Sequence, residues 1–318
     1  MANPPAPVPA QPQEALTGGI LLVLLANLLF SMVDSSTKWL IGAGLVAAQL
    51  AFMRYAVHFA ITLTERAVRG RPNTLLARQT RSLVLFRAFC LVSATLANFI
   101  ALSHLSLAVA SSLLYLSPLF VCLFAKLLLD ESMRASHILA ICLGGFGAVL
   151  IVWPFTSDIN WYAVLMLYPA AALALYQVLT RKLVSSVRPG LLQFYTGAVG
   201  TIMLAPLAVP VWVAPESLLN WSLLIGIGAF AWAGHEVLTR AHAFAPASAL
   251  APFGYSFVIY LTAFGFIIFG EIPQSNELFG MGIIITAGLL SWRLSAKHQL
   301  SIVPHAPPQP GDNGHSQA

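Results

Sequence analysis

Residues 27–40, NLLFSMVDSSTKWL, align without a gap with residues 170–183, AAALALYQVLTRKL. The alignment places Asp34 opposite Gln177, and both segments end on a leucine. Each segment lies in an apolar run long enough for a membrane-spanning helix, which needs about 20 apolar residues. Similarity between two such segments predicts that a structural unit has been duplicated within the chain.

Two further pairs of segments follow in the same order and at nearly the same separation. Residues 52–57, FMRYAV, match residues 194–199, FYTGAV. Residues 101–131 align without gaps with residues 241–271, and the two segments share an alanine, a tyrosine, a phenylalanine and a terminal glutamate. Because the three pairs keep one order, we interpret the two halves of the chain as duplicates.

The composition is typical of a membrane protein. Of the 318 residues, 58% are hydrophobic and 8% are charged, whereas a soluble domain contains about 25% charged residues. The 16 Lys and Arg and the 11 Asp and Glu residues are too few to cover the surface of a soluble enzyme of this size. The 19 Phe, 7 Trp and 8 Tyr residues exclude a disordered, low-complexity chain.

Apolar windows of about 20 residues predict ten transmembrane helices and an all-α integral membrane fold. Residues 17–155 and 156–294 are the two predicted five-helix repeats, while residues 1–16 and 295–318 are predicted to be disordered tails because of their polar, proline-rich composition. The predicted spans are residues 17–39, 46–64, 83–103, 109–129, 137–155, 161–180, 191–213, 219–239, 247–269 and 277–294.

The odd number of helices in each half determines the relation between the halves. The second half must cross the membrane in the opposite sense, so Glu131 and its counterpart Glu271 end their helices on opposite sides. Inverted repeats of this kind can exchange conformations and open a shared central site to each side in turn. The sequence therefore predicts transport by alternating access.

The basic residues predict the orientation of the chain. All lysines and arginines outside the spans fall on the side that both termini share, and the connections on the other side contain none. The positive-inside rule assigns the basic side to the cytoplasm, so both termini are predicted to be cytoplasmic. The residues concerned are Arg66, Arg69, Arg71, Arg78, Arg81, Arg134, Arg181, Lys182, Arg188, Arg240, Arg293 and Lys297.

Three segments resemble a known family. They are residues 30–40, FSMVDSSTKWL, residues 105–131, LSLAVASSLLYLSPLFVCLFAKLLLDE, and residues 245–273, APASALAPFGYSFVIYLTAFGFIIFGEIP. With ten helices in two inverted halves, residues 17–294 look like the EamA-type transporters of the bacterial drug/metabolite transporter superfamily. This resemblance implies transport of a small metabolite such as an amino acid, a vitamin or a nucleotide-like compound. The third segment is similar to branches that include flavin and adenosyl-compound carriers.

A polar stripe on the first predicted helix indicates a functional surface. Asn27, Ser31, Asp34 and Lys38 are spaced so that they share one face of the helix. Charged groups in a membrane persist where they face protein or a wet cavity. We predict that Asp34 is a proton-sensitive carboxylate and that Lys38 is its partner or a substrate anchor. The alternative is a packing stripe in which the two charges pair along the helix.

Arg54 and His58 lie near the middle of the second predicted helix. A guanidinium at this depth needs a partner, and the acid at a matching depth is Asp34. We therefore predict an interaction between Asp34 and Arg54, or an anionic substrate group in place of Asp34. For His58, a hydrogen-bonded structural role is favoured over a coupled proton site.

The other candidates are polar or aromatic residues within the spans. Arg87 and Lys126 lie close enough to the cytoplasmic interface to snorkel, so they are not included. Aromatic residues at depth suit an organic ligand with a ring, although many such residues only pack. The predicted substrate-binding residues are Asp34, Lys38, Arg54, His58, Asn98, Tyr115, Tyr176, Gln177, Trp232, His235, Glu236 and Tyr255.

No pattern in the sequence indicates a metal or a cofactor. The three cysteines lie singly in apolar runs, without the spacing of metal ligands. Asp130 and Glu131 are an isolated acidic pair, and His235 and Glu236 lack the second histidine of a zinc-binding HExxH motif. An integral-membrane enzyme acting on a lipid or prenyl substrate is therefore the less favoured alternative, and we predict that the protein is not an enzyme.

The predicted function is that of a secondary transporter in the bacterial inner membrane. The predicted partners are a small-molecule substrate and the lipid bilayer, with protons as the hypothetical coupling ion and no nucleic acid. Small residues on the fifth and tenth predicted helices permit close helix contact. Packing within the chain is favoured for these surfaces, and a homodimer interface is the alternative, so the protein is expected to be a monomer or a homodimer.

Overall fold

The structure is a computed structural model that describes residues 12–68, 78–129, 139, 142–147, 150, 160–183, 186–244, 253–254 and 256–302. Its α-helices are α1 (Pro12–Gly42), α2 (Ala47–Val68), α3 (Arg78–Leu102), α4 (Leu107–Leu114), α5 (Ser117–Leu129), α6 (Trp161–Leu165), α7 (Leu167–Leu183), α8 (Pro189–Ala208), α9 (Leu218–Phe244), α10 (Ser256–Phe269) and α11 (Ser275–Ile302). The described part of the chain also has one short 3-10 helix, Val209–Val211, and contains no strand.

Six segments among the described residues are long and apolar enough to cross a membrane. They are Thr17–Gly42, Thr80–Leu102, Leu107–Leu128, Trp161–Thr180, Gly190–Val211 and Leu218–Ala241. Helices α2, α10 and α11 coincide with three further predicted spans but are not among these six; α10, with 14 residues, is the shorter apolar helix Ser256–Phe269. Most of the predicted span 137–155 lies outside the described residues. The structure is therefore that of an all-helical, multi-pass membrane protein.

Both terminal helices are longer than the hydropathy windows indicated. Helix α1 begins at Pro12 and helix α11 ends at Ile302, so each includes residues that the sequence placed in a tail. The predicted span 109–129 is divided between α4 and α5, which are separated at Tyr115. Pro118 lies in the first turn of α5, where its missing N–H is tolerated but the preceding helix is not continued.

The helices pack mainly across the two halves of the chain. Helix α1 packs against α9 and α10, α2 against α8 and α9, and α3 against α7 and α8. Large apolar side chains such as Leu40, Leu50 and Phe99 are fully buried in the resulting core. Each of α1, α2 and α3 thus has a face directed towards the second half, and the polar residues of these helices meet there.

Glycines allow α2 to approach α9 closely. A methyl group placed on Gly228 would lie 2.9 Å from the Arg54 carbonyl oxygen and would overlap Val57. A side chain at this position would therefore separate the two helices. A similar contact occurs between Gly147 and the carbonyl of Gly280, which are on the fifth and tenth predicted helices. Gly147 and Gly280 thus contact each other within the chain, and the choice between a monomer and a homodimer stays a prediction.

Candidate functional site

Five polar side chains come together between helices of both halves, and we call them the central polar cluster. Asp34 lies on α1, Arg54 and His58 on α2, Asn98 on α3 and His235 on α9. The amide nitrogen Nδ2 of Asn98 donates to Oδ1 and Oδ2 of Asp34 at 3.3 and 3.4 Å. Both side chains are buried, each with 6% of its surface exposed. Asp34 is thus held inside the helix bundle by a neutral group.

Arg54 is the positive charge of the central polar cluster. Its guanidinium carbon lies 5.8 Å from the ring centre of Tyr55 and 5.9 Å from that of Phe99. Its charge acts electrostatically on Asp34, His58 and His235. Within the described residues it makes no ion pair at 4 Å or less, so no direct contact with Asp34 is formed.

The two histidines face each other across the halves. The ring centroids of His58 and His235 are 6.2 Å apart, and His235 also makes an edge-on contact with Phe30 at 4.9 Å. Nε2 of His58 and Oδ1 of Asn98 are buried without a hydrogen-bond partner. A buried polar atom without a partner is costly. His58 is therefore less fully bonded than a structural histidine would be, and the cluster offers two free groups to a ligand.

The other members of the polar stripe on α1 contact different elements. Asn27 donates to the carbonyls of Phe253 and Gly254 at 3.1 and 3.2 Å and to Oγ of Ser256 at 2.9 Å. Ser31 donates to the carbonyl of Asn27. These bonds attach α1 to the start of α10, so this end of the stripe is structural while Asp34 belongs to the central polar cluster.

The predicted pairing of Lys38 with Asp34 is wrong. Lys38 forms an ion pair with Glu271 and also donates to the carbonyl of Leu105. The i, i+4 spacing puts Lys38 and Asp34 on one helical face. In the folded structure, however, the long and flexible side chain of Lys38 reaches the carboxylate of Glu271 instead. Glu271 lies just beyond the end of α10, in the second half.

Several of the remaining candidates have structural contacts away from the central polar cluster. The hydroxyl of Tyr115 donates to the carbonyl of Gly254. Gln177 is exposed and donates to Oγ of Ser117 at 3.5 Å. Tyr176 accepts a hydrogen bond from Arg87. These three predicted residues therefore have hydrogen-bond partners that are not members of the central polar cluster.

Trp232 and Glu236 line a shallow groove of about 430 Å³ between α2 and α9. Glu236 accepts from Arg240, one turn further along the same helix, at 3.1 Å, and both side chains are well exposed. Tyr255 lies outside the described residues. Among the residues described, no group of three His, Cys, Asp or Glu side chains could hold a metal ion.

Arg87 is a buried residue that the sequence interpretation missed. It was expected to snorkel, but only 2% of its surface is exposed. It donates to the hydroxyls of Thr180, Thr196 and Tyr176 at 2.6, 3.0 and 2.8 Å, and to the carbonyl of Leu192 at 3.5 Å. Arg87 therefore joins α3 to α7 and α8 through neutral groups, whereas Lys126 is exposed as expected.

The fold and the buried polar groups define a multi-pass helical membrane protein with a charged interior. The family model described as the EamA-like transporter family matches residues 17–153 and 160–293. The chain therefore belongs to the EamA-like transporter family, within the drug/metabolite transporter superfamily. The predicted resemblance is confirmed.

Curated relatives match over most of their lengths. The chain is 31% identical to the pseudopaline exporter CntI of Pseudomonas aeruginosa strain UCBPP-PA14, over 86% of this chain and 95% of the relative. It is 28% identical to a riboflavin transporter of Brucella anthropi, over 83% and 94%. It is 26% identical to an S-adenosylmethionine uptake transporter of Rickettsia prowazekii, over 88% and 96%. These names favour a membrane transporter over an enzyme.

The fold is also similar to that of a solved crystal structure. The TM-score is 0.59 with 16% sequence identity, and the match covers 89% of this chain and 99% of the other. Identity at this level supports a shared fold without indicating a shared substrate.

Proposed function

We propose that the protein is a secondary transporter that moves a small organic metabolite across the bacterial inner membrane by alternating access. The substrate class is an amino acid, a vitamin of the flavin type or a nucleotide-like compound. The single observation that best supports a site is the position of Arg54, half-buried beside Asp34, His58 and His235 in the central polar cluster, with no ion-pair partner at 4 Å or less in the described chain. Both termini are proposed to face the cytoplasm.

The pattern of helix packing supports two structurally equivalent halves, which the proposed inverted repeat requires. Exchanging the halves converts α1 into α7, α2 into α8, α3 into α9 and α5 into α10, following the order of the predicted spans. The contact of α1 with α9 then becomes that of α7 with α3, and the contact of α2 with α9 becomes that of α8 with α3. The contact of α1 with α10 becomes that of α7 with α5. All six of these contacts occur, as expected for two equivalent halves.

The chemistry of the central polar cluster supports a substrate with both an acidic group and a hydrogen-bond donor. The planar guanidinium of Arg54 suits a carboxylate or phosphate. Asp34 accepts from Asn98 at long distances and retains acceptor capacity for a donor on the substrate. The rings of Tyr55 and Phe99, which are buried in the core, lie close to Arg54 and position its guanidinium by cation–π contact.

Solute flux into proteoliposomes tests the proposed function. Purified full-length protein would be reconstituted, and uptake of radiolabelled riboflavin, S-adenosylmethionine and amino acids would be measured against protein-free vesicles. We expect saturable uptake of one of these compounds and acceleration by the same compound preloaded on the opposite side. Uptake that rises linearly with concentration in every case, or that equals the protein-free value, would contradict a carrier for these compounds.

Proton coupling is proposed to depend on Asp34. In the parental protein, a gradient of one pH unit is expected to support up to roughly tenfold accumulation if one proton moves with each solute. Asp34→Asn keeps an oxygen acceptor for Asn98 but has no carboxylate to protonate, so exchange of solute should persist while accumulation no longer responds to the gradient. Glu277→Gln, which neutralises an acid outside the cluster, is the control. If solute accumulation by the parental protein does not change with the imposed pH gradient, proton coupling is refuted.

A further inference from the structure

A second charged contact joins the halves one helical turn beyond Asp34. On α1, Lys38 pairs with Glu271 and donates to the carbonyl of Leu105, and its ammonium lies 5.7 Å from the ring centre of Phe269. Glu271 also accepts from the backbone N–H of Leu107 at 2.9 Å. In the proposed topology the ion pair and the backbone groups of Leu105 and Leu107 lie on the outer side of the membrane.

The end of α10 is built so that Glu271 reaches this position. Gly270 adopts a positive φ of 66°, a conformation that favours glycine, and it ends the helix. The amide of Glu271 then donates to the carbonyl of Gly265 at 3.0 Å. A methyl group on Gly265 would lie 2.9 Å from Oε2 of Glu271. Both glycines therefore help to place the carboxylate against Lys38 and Leu107.

Two uncharged contacts also hold the halves together at this level. Nε1 of Trp39 donates to Oδ1 of Asn220 at 3.3 Å. The side chain of Gln49 exchanges two hydrogen bonds with the backbone of Val213, at 2.7 and 3.1 Å. The Lys38–Glu271 pair is the charged member of this layer, and its side chains are 17% and 19% exposed. The central polar cluster is therefore covered on this side by contacts between the halves.

The repeat alignment gives a further reason to associate this pair with transport. Lys38 is opposite Arg181, and Glu271 is opposite Glu131. The basic and acidic positions are thus present in both halves of the sequence. A pair that served only to stabilise one loop would not be expected to have a charged counterpart at both of its positions in the repeat.

We propose that the Lys38–Glu271 ion pair is the outer gate of the substrate pathway, closed in this conformation and broken when the central polar cluster opens outwards. The inference rests on the proposed transport function. Asp34 and Lys38 lie on one face of one rigid helix, so a movement of α1 that repositions Asp34 around a substrate also moves Lys38 relative to Glu271. Binding at the centre is thereby coupled to opening at the outer end.

Sided thiol labelling tests the gate without measuring transport. In full-length protein with its three native cysteines replaced by alanine, Ser35→Cys introduces a thiol next to Asp34, at a buried position whose hydroxyl has no partner. A membrane-impermeant, charged methanethiosulfonate is added to the outside of right-side-out vesicles. Lys38→Gln and Glu271→Gln are each expected to raise the labelling rate about tenfold, and the double variant is expected to raise it no further.

Glu271→Gln is the more conservative variant, because its amide oxygen still accepts from Leu107 while the charge is lost. The matched control is Glu277→Gln, since Glu277 bonds within its own turn to the N–H of Gln274 and should leave the rate unchanged. Hydrogen exchange of residues 103–109 is a second readout and should become faster in both single variants. Unchanged labelling and exchange, additive effects in the double variant, or faster labelling only from the cytoplasmic side would overturn the gate.

Failure of the gate and failure of the proposed function are distinguishable. If solute flux is observed but the labelling rate does not respond to the two substitutions, the proposed transport function is supported and the assignment of the ion pair as the outer gate is wrong. If labelling responds but no tested solute shows saturable flux, the ion pair controls access to the centre and the proposed transport of these compounds is wrong.

Discussion

Replacing Arg54 with glutamine is expected to lower the rate of solute transport by about 10²-fold while leaving the protein folded in the membrane. In the proposed complex Arg54 pairs with the acidic group of the substrate; removing one partner of such a desolvated charge pair costs about 2–5 kcal/mol, and each 1.4 kcal/mol is about a factor of ten. The loss should be large because the acidic group of the substrate would have no other fixed cation in the central polar cluster. Initial rates of uptake into proteoliposomes measure the effect.

Two variants make the Arg54 result specific. Arg54→Lys keeps the charge but loses the planar, bidentate donor geometry, so it is expected to retain part of the activity with a higher KM. Arg81→Gln makes the same chemical change at an exposed position of α3 and should transport at the parental rate. Parental transport by both Arg54→Gln and Asp34→Asn would show that substrate binds elsewhere.

The second large effect is expected at Arg87, on stability. Arg87→Gln leaves the hydroxyls of Thr180, Thr196 and Tyr176 without their cationic donor in a buried place. Thr180 and Thr196 still donate within their own helix, but a hydrogen bond to a charged group contributes about 1.5–3 kcal/mol, so the total loss should be about 3 kcal/mol. For a chain of this size we expect the Tm of the purified protein to fall by roughly 5 °C.

Lys126→Gln is the matched control for Arg87. Both cations lie in predicted spans, but Lys126 is exposed, and a surface substitution usually changes stability by less than about 0.5 kcal/mol. Thermal unfolding of both variants in the same detergent is the measurement. Equal Tm values for Arg87→Gln and the parental protein would contradict a structural role for the hydrogen bonds between α3, α7 and α8.

The positions of the helices could be predicted from the sequence because bilayer thickness limits the length of an apolar span. Helices α1, α3, α7, α8 and α9 lie where the hydropathy windows placed them. Their ends were less predictable: α1 starts at Pro12 and α11 reaches Ile302, since a helix can continue beyond its apolar part. The hydropathy windows also did not predict that the span 109–129 is divided into two helices at Tyr115.

Partners of charged residues were harder to predict than the helices. Depth in the membrane suggested an interaction between Asp34 and Arg54, but the two side chains form no ion pair at 4 Å or less, and the interaction stays a prediction. The i, i+4 spacing suggested Asp34 for Lys38, but the actual partner, Glu271, lies in the other half of the chain. Arg87 binds threonine and tyrosine hydroxyls rather than an acid. Hydrogen bonds to neutral side chains leave no pattern of opposite charges in the sequence. The burial of Arg87 could therefore be found only in the folded structure.

Access to the central polar cluster from each side of the membrane is the most direct test of two inverted halves around a shared site. His58→Cys, in protein without its native cysteines, would be treated with an impermeant thiol reagent in right-side-out and in inside-out vesicles. Alternating access predicts that this one cysteine reacts from both sides, and that a transported solute slows both reactions. Reaction from one side only, with or without solute, would contradict alternating access to the cluster.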